Sequence, residues 1–148
     1  MNYSVINKLQ TPCIVIDIEK ARKNIKEMQD LADACHCRLR PHVKTHKMLF
    51  FANMQLEYGA NGITCAKVSE AEVMAGGGID DIFIAYPLVG DFRIKRAIEL
   101  VKKVRRLILA VDSLEGAAAL NRAAKDAGIS FEVRMEVDTG AKRTGVLR

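Results

Sequence analysis

The chain has 148 residues and a formal net charge of +5; 49% of its residues are hydrophobic and 28% are charged. This balance excludes intrinsic disorder, which combines low hydrophobicity with high net charge, and four cysteines are too few for a disulfide-built scaffold. No apolar run approaches the ~20 residues that span a bilayer, and the first residues lack the pattern of a secretory signal. We therefore expect a cytoplasmic protein without membrane contact.

The densest basic cluster lies at 102–106, where four of five residues are Lys or Arg. Nucleic-acid sites combine such clusters with aromatic side chains, and the chain has only five Phe, three Tyr and no Trp. The cluster also falls at the end of a predicted helix, where cations interact favourably with the helix dipole. We expect no nucleic-acid partner.

Predicted strands and helices alternate along the chain. Short apolar runs bounded by turn residues predict strands, and apolar residues spaced by three and four predict helices. The predicted strands are 13–16, 38–44, 62–67, 81–86, 106–111 and 130–137, and the predicted helices are 18–34, 49–56, 69–76, 91–101 and 113–128.

Polar residues and glycines mark the predicted helix ends. Asp and Ser side chains accept hydrogen bonds from the free N–H groups of a first turn, and glycine readily ends a helix. The triple glycine at 76–78 is interpreted as a helix stop, because a phosphate loop would open a helix after a strand. The predicted N-caps are Asp17, Asp91 and Ser113, with a capping box at Ser69 and Glu72 and a further stop at Gly128.

Strict alternation of strands and helices predicts an α/β fold with a parallel sheet and helical crossovers. Two architectures fit, a doubly wound open sheet and a (β/α)8 barrel. A strand in a doubly wound sheet is apolar on both faces, whereas the segment 130–137 alternates apolar and charged residues. A barrel with a polar interior explains this alternation, and we expect the barrel. The charged set is Glu132, Arg134, Glu136 and Asp138.

The length of the chain falls short of a complete barrel of this type, which takes about 250 residues. The predicted elements amount to about the first five strand–helix units. We expect residues 1–148 to be the N-terminal part of a longer barrel protein.

Residues 39–47 (LRPHVKTHK) are the most informative stretch. Lys44 ends a predicted strand with its side chain on the inner face, among Arg40, His42, His46 and Lys47. Neighbouring positive charge and partial burial both favour the neutral amine of a lysine, and a neutral amine can attack a carbonyl to form a Schiff base. The pattern indicates either such a nucleophile or a solvated lysine in a basic turn.

Three strings carry a resemblance to a known family: Thr11-Pro12, RPHVKTHK at 40–47, and DTG at 138–140 followed by Arg143 and Gly145. They resemble the fold-type III pyridoxal-phosphate (PLP) enzymes, which share the alanine racemase N-terminal barrel. The branch that the chain resembles most contains D-threonine aldolase and D-serine dehydratase. The resemblance extends from Thr11 to Val146.

The resemblance assigns roles to individual positions. Lys44 matches the lysine that forms the Schiff base with PLP, and Arg143 matches the arginine beside the phenolic oxygen of the cofactor. Glu136 stands where alanine racemases have a lysine that is often carbamylated, and a carboxylate there would orient Arg143 directly. His42 beside Lys44 and Tyr86 after a predicted strand are the other candidate cofactor contacts, although core packing explains Tyr86 equally well.

The resemblance implies a PLP-dependent lyase, an aldolase or dehydratase, that acts on a D-3-hydroxy amino acid as a homodimer. The alternatives are an amino-acid racemase of the same fold and a non-catalytic PLP carrier. In this branch the phosphate-binding loops, the C-terminal β-domain and the ligands of a divalent metal come from segments that follow position 148. Within the sequence itself, Cys35-His36-Cys37 lacks the usual spacing of zinc ligands, so we assign no metal ligand.

Overall fold

The computed structural model describes residues 7–147. Four parallel strands form one sheet in the order β1-β2-β3-β4, so that each strand pairs with the next one along the chain. The strands are β1 (Ile63–Cys65), β2 (Asp81–Ile84), β3 (Arg106–Val111) and β4 (Glu132–Met135), and the helices are α1 (Ile18–Ala34), α2 (Leu49–Glu57), α3 (Val68–Gly76), α4 (Asp91–Val101) and α5 (Leu114–Ala127).

A further chain segment runs beside β1 in the position of a fifth parallel strand. His42 forms a parallel bridge with Thr64, and the N–H of Thr64 donates to the Pro41 carbonyl at 2.7 Å. The predicted regular strand at 38–44 is wrong, because proline cannot donate to a ladder and the chain then enters a 3-10 turn at Val43–Thr45.

The predicted strand at 13–16 is also wrong. These residues have no regular secondary structure, and the Ile14 side chain is 91% exposed. An apolar run becomes a strand only where a neighbouring strand accepts its hydrogen bonds, and none pairs with it among the described residues.

Helix ends follow local signals in most cases. Asp17 accepts from the N–H of Lys20 at 3.2 Å, Ser113 accepts from that of Gly116 at 3.1 Å, and Gly128 ends α5 in the left-handed conformation, which confirms these predictions. The triple glycine at 76–78 also ends a helix.

Two predicted caps are displaced. Helix α4 begins at Asp91 itself after Gly90. The capping box at Ser69 and Glu72 does not form, because α3 begins at Val68 and the Glu72 carboxylate instead accepts from Arg96 Nε of α4 at 2.8 Å.

One face of the sheet carries the apolar core. Every other residue of β1, β2 and β3 points toward the helices, and these positions are occupied by Ile, Leu and Cys side chains that are at most 2% exposed. They pack against apolar residues of α3 and α4, which makes burial of this face the main stabilising contribution. The strand residues are Ile63, Cys65, Ile82, Ile84, Leu107 and Leu109.

The opposite face of the sheet is polar at the amino ends of the strands. Arg40 and Asp81 form an ion pair at 2.7 Å with side chains only 13% and 11% exposed. Glu132 holds Arg106 through two hydrogen bonds of 2.6 and 2.7 Å, and the Arg134 guanidinium lies over the Phe83 ring at 5.6 Å. Glu132 and Arg134, predicted to face the barrel interior, therefore do lie on the face opposite the helices, and Arg40 lies there with them. The fold is a partial barrel of parallel strands and helices.

Candidate active site

The carboxyl ends of the strands bring the candidate residues to one edge of the sheet. Because all four strands are parallel, the residues that follow each strand meet at the same edge. The Lys44 turn leaves the sheet beside β1, Tyr86 follows β2 by two residues, Asp112 follows β3, and Glu136 follows β4. The sequence-based assignment of these groups to one face is consistent with this topology.

Lys44 lies in a tight turn whose backbone is fixed from several sides. The Val43 side chain is fully buried and anchors the turn. The Val43 carbonyl accepts hydrogen bonds from the N–H groups of His46 (3.2 Å) and Lys47 (2.7 Å), and His42 Nδ1 accepts from the N–H of Lys44 at 3.3 Å. The Lys44 side chain is exposed, so an immobilised backbone presents a solvent-accessible amine.

Both histidines beside Lys44 are partly buried. Burial and the nearby Lys44 ammonium lower the pKa of His42, and burial lowers the pKa of His46. A lowered pKa favours the neutral imidazole near pH 7. The two rings therefore do not add positive charge to the Lys44 turn at that pH, contrary to the basic surroundings that the sequence suggested.

A buried carboxylate behind the turn escaped the sequence-based reasoning. Glu70 is 7% exposed, and its carboxylate accepts from the N–H of Ala66 at 2.6 Å. Its negative charge favours a higher pKa for His42, His46 and Cys65, but at the two histidines burial outweighs this effect. The sequence did contain a signal for this residue, because Glu70 is the second residue of the Ser-Glu-Ala-Glu run. This run lies in the first turn of α3, which places the carboxylate against the end of β1.

The loop after β4 is folded around Asp138. The Asp138 carboxylate accepts from the N–H groups of Gly140 (2.8 Å) and Lys142 (3.1 Å), and these bonds lower its pKa. The chain then folds back toward the strand ends. The N–H of Asp138 donates to the Val146 carbonyl at 2.9 Å, and the N–H of Gly145 donates to the Asp112 carboxylate at 3.4 Å. The loop is thereby attached to the ends of both β3 and β4.

Glu136 and Arg143 lie in this loop region but do not pair. Glu136 Oε1 accepts from the Thr144 hydroxyl at 2.6 Å, and Glu136 Oε2 is buried with no hydrogen-bond partner among the described residues. Arg143 is exposed and takes part in none of the ion pairs of residues 7–147. The expected direct Glu136–Arg143 bond is therefore replaced by a bond from Thr144, which follows Arg143 in the chain, and one carboxylate oxygen of Glu136 is left buried without a partner among the described residues.

Tyr86 is 52% exposed at the carboxyl end of β2, so it is not a core residue in this structure. Cys65 is fully buried, and burial raises the pKa of its thiol to about 12.

Within residues 7–147, no three His, Cys, Asp or Glu side chains are grouped in a way that could hold a metal ion. Across the same part of the chain, none of the helices combines the length and the hydropathy needed to cross a membrane.

Comparison with known proteins agrees with this arrangement. The family described as "Alanine racemase, N-terminal domain" matches residues 16–148. The chain belongs to this family.

Several of the similar proteins and structures are named as aldolases or dehydratases. The chain is 40% identical to D-threo-3-hydroxyaspartate dehydratase of Delftia sp. (strain HT23), over 93% of this chain and 36% of that protein. It is 36% identical to 3-hydroxy-D-aspartate aldolase of Paracoccus denitrificans, over 95% and 36%. The crystal structure of D-threonine aldolase from Filomicrobium marinum superposes with a TM-score of 0.90 at 35% identity, over 93% and 37%. The chain spans about a third of the length of these relatives.

Proposed function

We propose that this chain is the lysine-bearing part of a PLP-dependent lyase that acts on a D-3-hydroxy amino acid. The observation that carries the proposal is the Lys44 turn: a turn anchored by the buried Val43 presents an exposed amine at the carboxyl ends of the parallel strands. The relatives named as aldolases and dehydratases of such amino acids support the substrate class. A cytoplasmic homodimer is part of the same proposal.

The described residues fit PLP at this edge. The cofactor has an aldehyde, which needs an amine, and Lys44 offers one. It also has an anionic ring oxygen, and the exposed Arg143 guanidinium is a suitable donor to it. Tyr86 is exposed at the same edge and offers a ring face for the planar cofactor. The Glu136 oxygen without a partner is an acceptor for a further donor when the site is filled.

When bound, PLP supplies an electron sink for the bond that breaks in the substrate. Lys44 Nζ would hold the cofactor and, once the substrate amine has taken its place, would be the basic group that can take or return a proton at the substrate's α-carbon. His42 Nδ1 accepts from the N–H of Lys44, so the backbone from which the lysine side chain projects is fixed before substrate binds. Asp138 holds the loop that carries Arg143, because its carboxylate binds two backbone N–H groups of that loop.

The proposal places no divalent metal on the described residues. One solved structure of the dehydratase relative is described as a C353A mutant in the metal-free form. Residues 7–147 group no suitable ligands, so these residues do not fit a metal site. No step of the proposed chemistry is assigned to a metal here.

The test is reduction of the PLP-loaded intact protein with borohydride, followed by peptide mapping. We expect a pyridoxyl group on Lys44 and its loss in Lys44→Ala. Lys47→Ala and Lys67→Ala are the matched controls, because both lysines are exposed. Lys47 follows Lys44 by three residues, and Lys67 precedes α3. A label on Lys47 or Lys67 would show that the wrong lysine has been assigned.

The reaction is tested with D-threonine, D-3-hydroxyaspartate and D-serine, and with D-alanine as the racemase substrate. Aldehyde release indicates an aldolase, and release of ammonia with a keto acid indicates a dehydratase. Conversion of D-alanine to its enantiomer without either product would identify a racemase instead. PLP binding without turnover of any of the four would favour the carrier.

A further inference from the structure

Two histidines bracket Lys44 and cap the backbone in the same manner. His42 Nδ1 accepts from the N–H of Lys44 at 3.3 Å, and His46 Nδ1 accepts from the N–H of Met48 at 3.1 Å. An imidazole nitrogen that accepts a hydrogen bond carries no hydrogen, so each neutral ring must carry its hydrogen on Nε2. The two ends of the Lys44 turn therefore depend on one tautomer of two neutral rings.

The surroundings of His46 favour this tautomer. The ring meets Phe51 edge-on, with centroids 5.7 Å apart. His46 Nε2 and Gln55 Oε1 are both buried, and neither has a hydrogen bond of normal geometry. The Gln55 side chain nevertheless raises the pKa of His46, although by less than burial lowers it. An N–H on Nε2 thus has an amide oxygen nearby, while Nδ1 is left to accept from Met48.

Burial, charged side chains and backbone groups shift the pKa of the two histidines in opposite directions. Burial lowers the pKa of both histidines, and the Lys44 ammonium lowers that of His42 further. The Glu70 carboxylate, behind the turn on α3, raises the pKa of both, and the backbone of Thr64 on β1 and of Met48 raises that of His42 and His46 respectively. The net direction is downward for both, which leaves both imidazoles neutral at pH 7.

We propose that His42 and His46 are positioning residues that fix the backbone of Lys44 through Nδ1, and that they hold the turn only while both imidazoles are neutral. Protonation of either ring would place a second N–H opposite the backbone N–H that it caps, so that cap would be lost. Because the fully buried Val43 still anchors the turn, the change would be a local loosening around Lys44. This inference rests on the proposed role of Lys44 as the group that binds the cofactor.

The sign of the pH dependence follows from the direction of the shifts. Both histidines have a lower pKa in the folded protein than the ordinary value of 6.5. The unfolded chain therefore binds more protons as the pH falls below that value. The stabilising contribution of the caps is complete above pH 6.5 and is lost as the pH falls through the lowered values.

The experiment is backbone hydrogen exchange of the protein without added PLP, at about pH 7.5 and at a lower pH at which the NMR signals of the imidazoles show both rings to be protonated, corrected for the intrinsic pH dependence of exchange. The amides of Lys44 and Met48 report the two caps directly. We expect each to lose roughly tenfold in protection at the lower pH, the range for losing one hydrogen bond. The amides of Ile82 and Ile84 in β2 should keep their protection and serve as the internal reference.

Two variants separate the cap from general packing. In His46→Asn the side-chain oxygen lies near the former Nδ1 and cannot titrate, so Met48 should stay protected at both pH values while Lys44 still responds through His42. In His46→Leu the acceptor is absent, and Met48 should be unprotected at both. Equal protection of the two wild-type amides at both pH values would overturn the proposal, as would a pH response at Met48 in His46→Asn. No cofactor is present, so failure of Lys44 to bind PLP would leave these results unchanged.

Discussion

The two ends of the sheet use charged residues in opposite ways. At the amino ends of the strands, Arg40, Asp81, Arg106 and Glu132 bond to one another. At the carboxyl ends, the Lys44 amine and the Arg143 guanidinium are exposed, and Glu136 retains an oxygen without a partner. Charges that have partners within the chain stabilise the fold, and charges without them remain available to a ligand.

This division explains why composition alone could not locate the site. Both ends contain arginines and carboxylates, and the sequence alternation of 130–137 is the same along the whole strand. Only the pairing differs, and pairing depends on which residues of neighbouring strands are in register. Substitutions at the two ends should therefore separate stability from ligand binding.

The largest effect is expected at Asp81. Asp81→Ala removes the partner of Arg40, whose side chain is 13% exposed, and leaves that guanidinium buried without a counter-charge. The expected loss in free energy of unfolding is about 3–4 kcal/mol, measured by urea denaturation. Asp80→Ala is the matched control, because the Asp80 side chain is 56% exposed and, among residues 7–147, its carboxylate pairs only with the exposed Arg105; the stability of this variant should be close to wild type. An equal loss in both variants would contradict a special role for the buried pair.

A smaller loss is expected from Gly62→Ala. Gly62 has φ +111°, and an added Cβ would lie 2.6 Å from the Asp81 carbonyl and against the Arg40 guanidinium. The expected cost is about 2–3 kcal/mol. Gly78 has φ +91° with no atom within 4 Å of an added Cβ, so Gly78→Ala should cost only about 1 kcal/mol of backbone strain. Thermal unfolding of the two variants measures the difference in their stability. Identical midpoints would show that Arg40 and Asp81 can shift to accommodate the added methyl group.

At the other end of the sheet, Lys44→Ala should change stability by less than about 0.5 kcal/mol, because the side chain is exposed. The same variant should lose all covalent PLP binding. Urea denaturation without cofactor and the absorbance of the loaded protein measure the two properties separately. A loss of stability comparable to that of Asp81→Ala would mean that the carboxyl end also serves the fold.

The smallest effect on stability is expected from Arg143→Ala, because Arg143 forms no ion pair within residues 7–147. If Arg143 contacts the phenolic oxygen of PLP, the absorbance of the bound cofactor and its pH dependence should shift. Lys142→Ala is the control, since Lys142 is the neighbouring exposed cation and its backbone N–H, which binds Asp138, is retained. An unchanged spectrum in Arg143→Ala would reject the contact.

Local signals in the sequence predicted much of the helical framework. Asp17, Ser113 and Gly128 mark helix ends with groups that act within four residues, so no knowledge of the fold was needed. The segment 13–16 was predicted wrongly because a strand needs a partner that a local pattern does not reveal. The capping box at Ser69 failed for a related reason: Glu72 forms a tertiary ion pair with Arg96.

The candidate site was predictable in its location and less so in its contacts. Lys44 was expected at the edge of the sheet, and the bridge between His42 and Thr64 places its turn there. The turn itself, with imidazole acceptors at both ends, depends on side-chain directions that the motif does not specify. Likewise, Thr144 bonds to Glu136 in place of Arg143 because Asp138 folds the intervening loop.

The order of the strands has a consequence for how the chain acquires this structure. Ile63 pairs with Ile82, Ile82 with Leu107, and Leu109 with Val133, so each strand pairing closes a loop of roughly 19 to 25 residues. Loops of such similar length have nearly equal closure entropies, and no pairing in β1–β4 waits for a distant segment. The sheet can therefore grow one strand at a time as the polypeptide leaves the ribosome, with the Lys44 turn in place beside β1 before β4 has been synthesised.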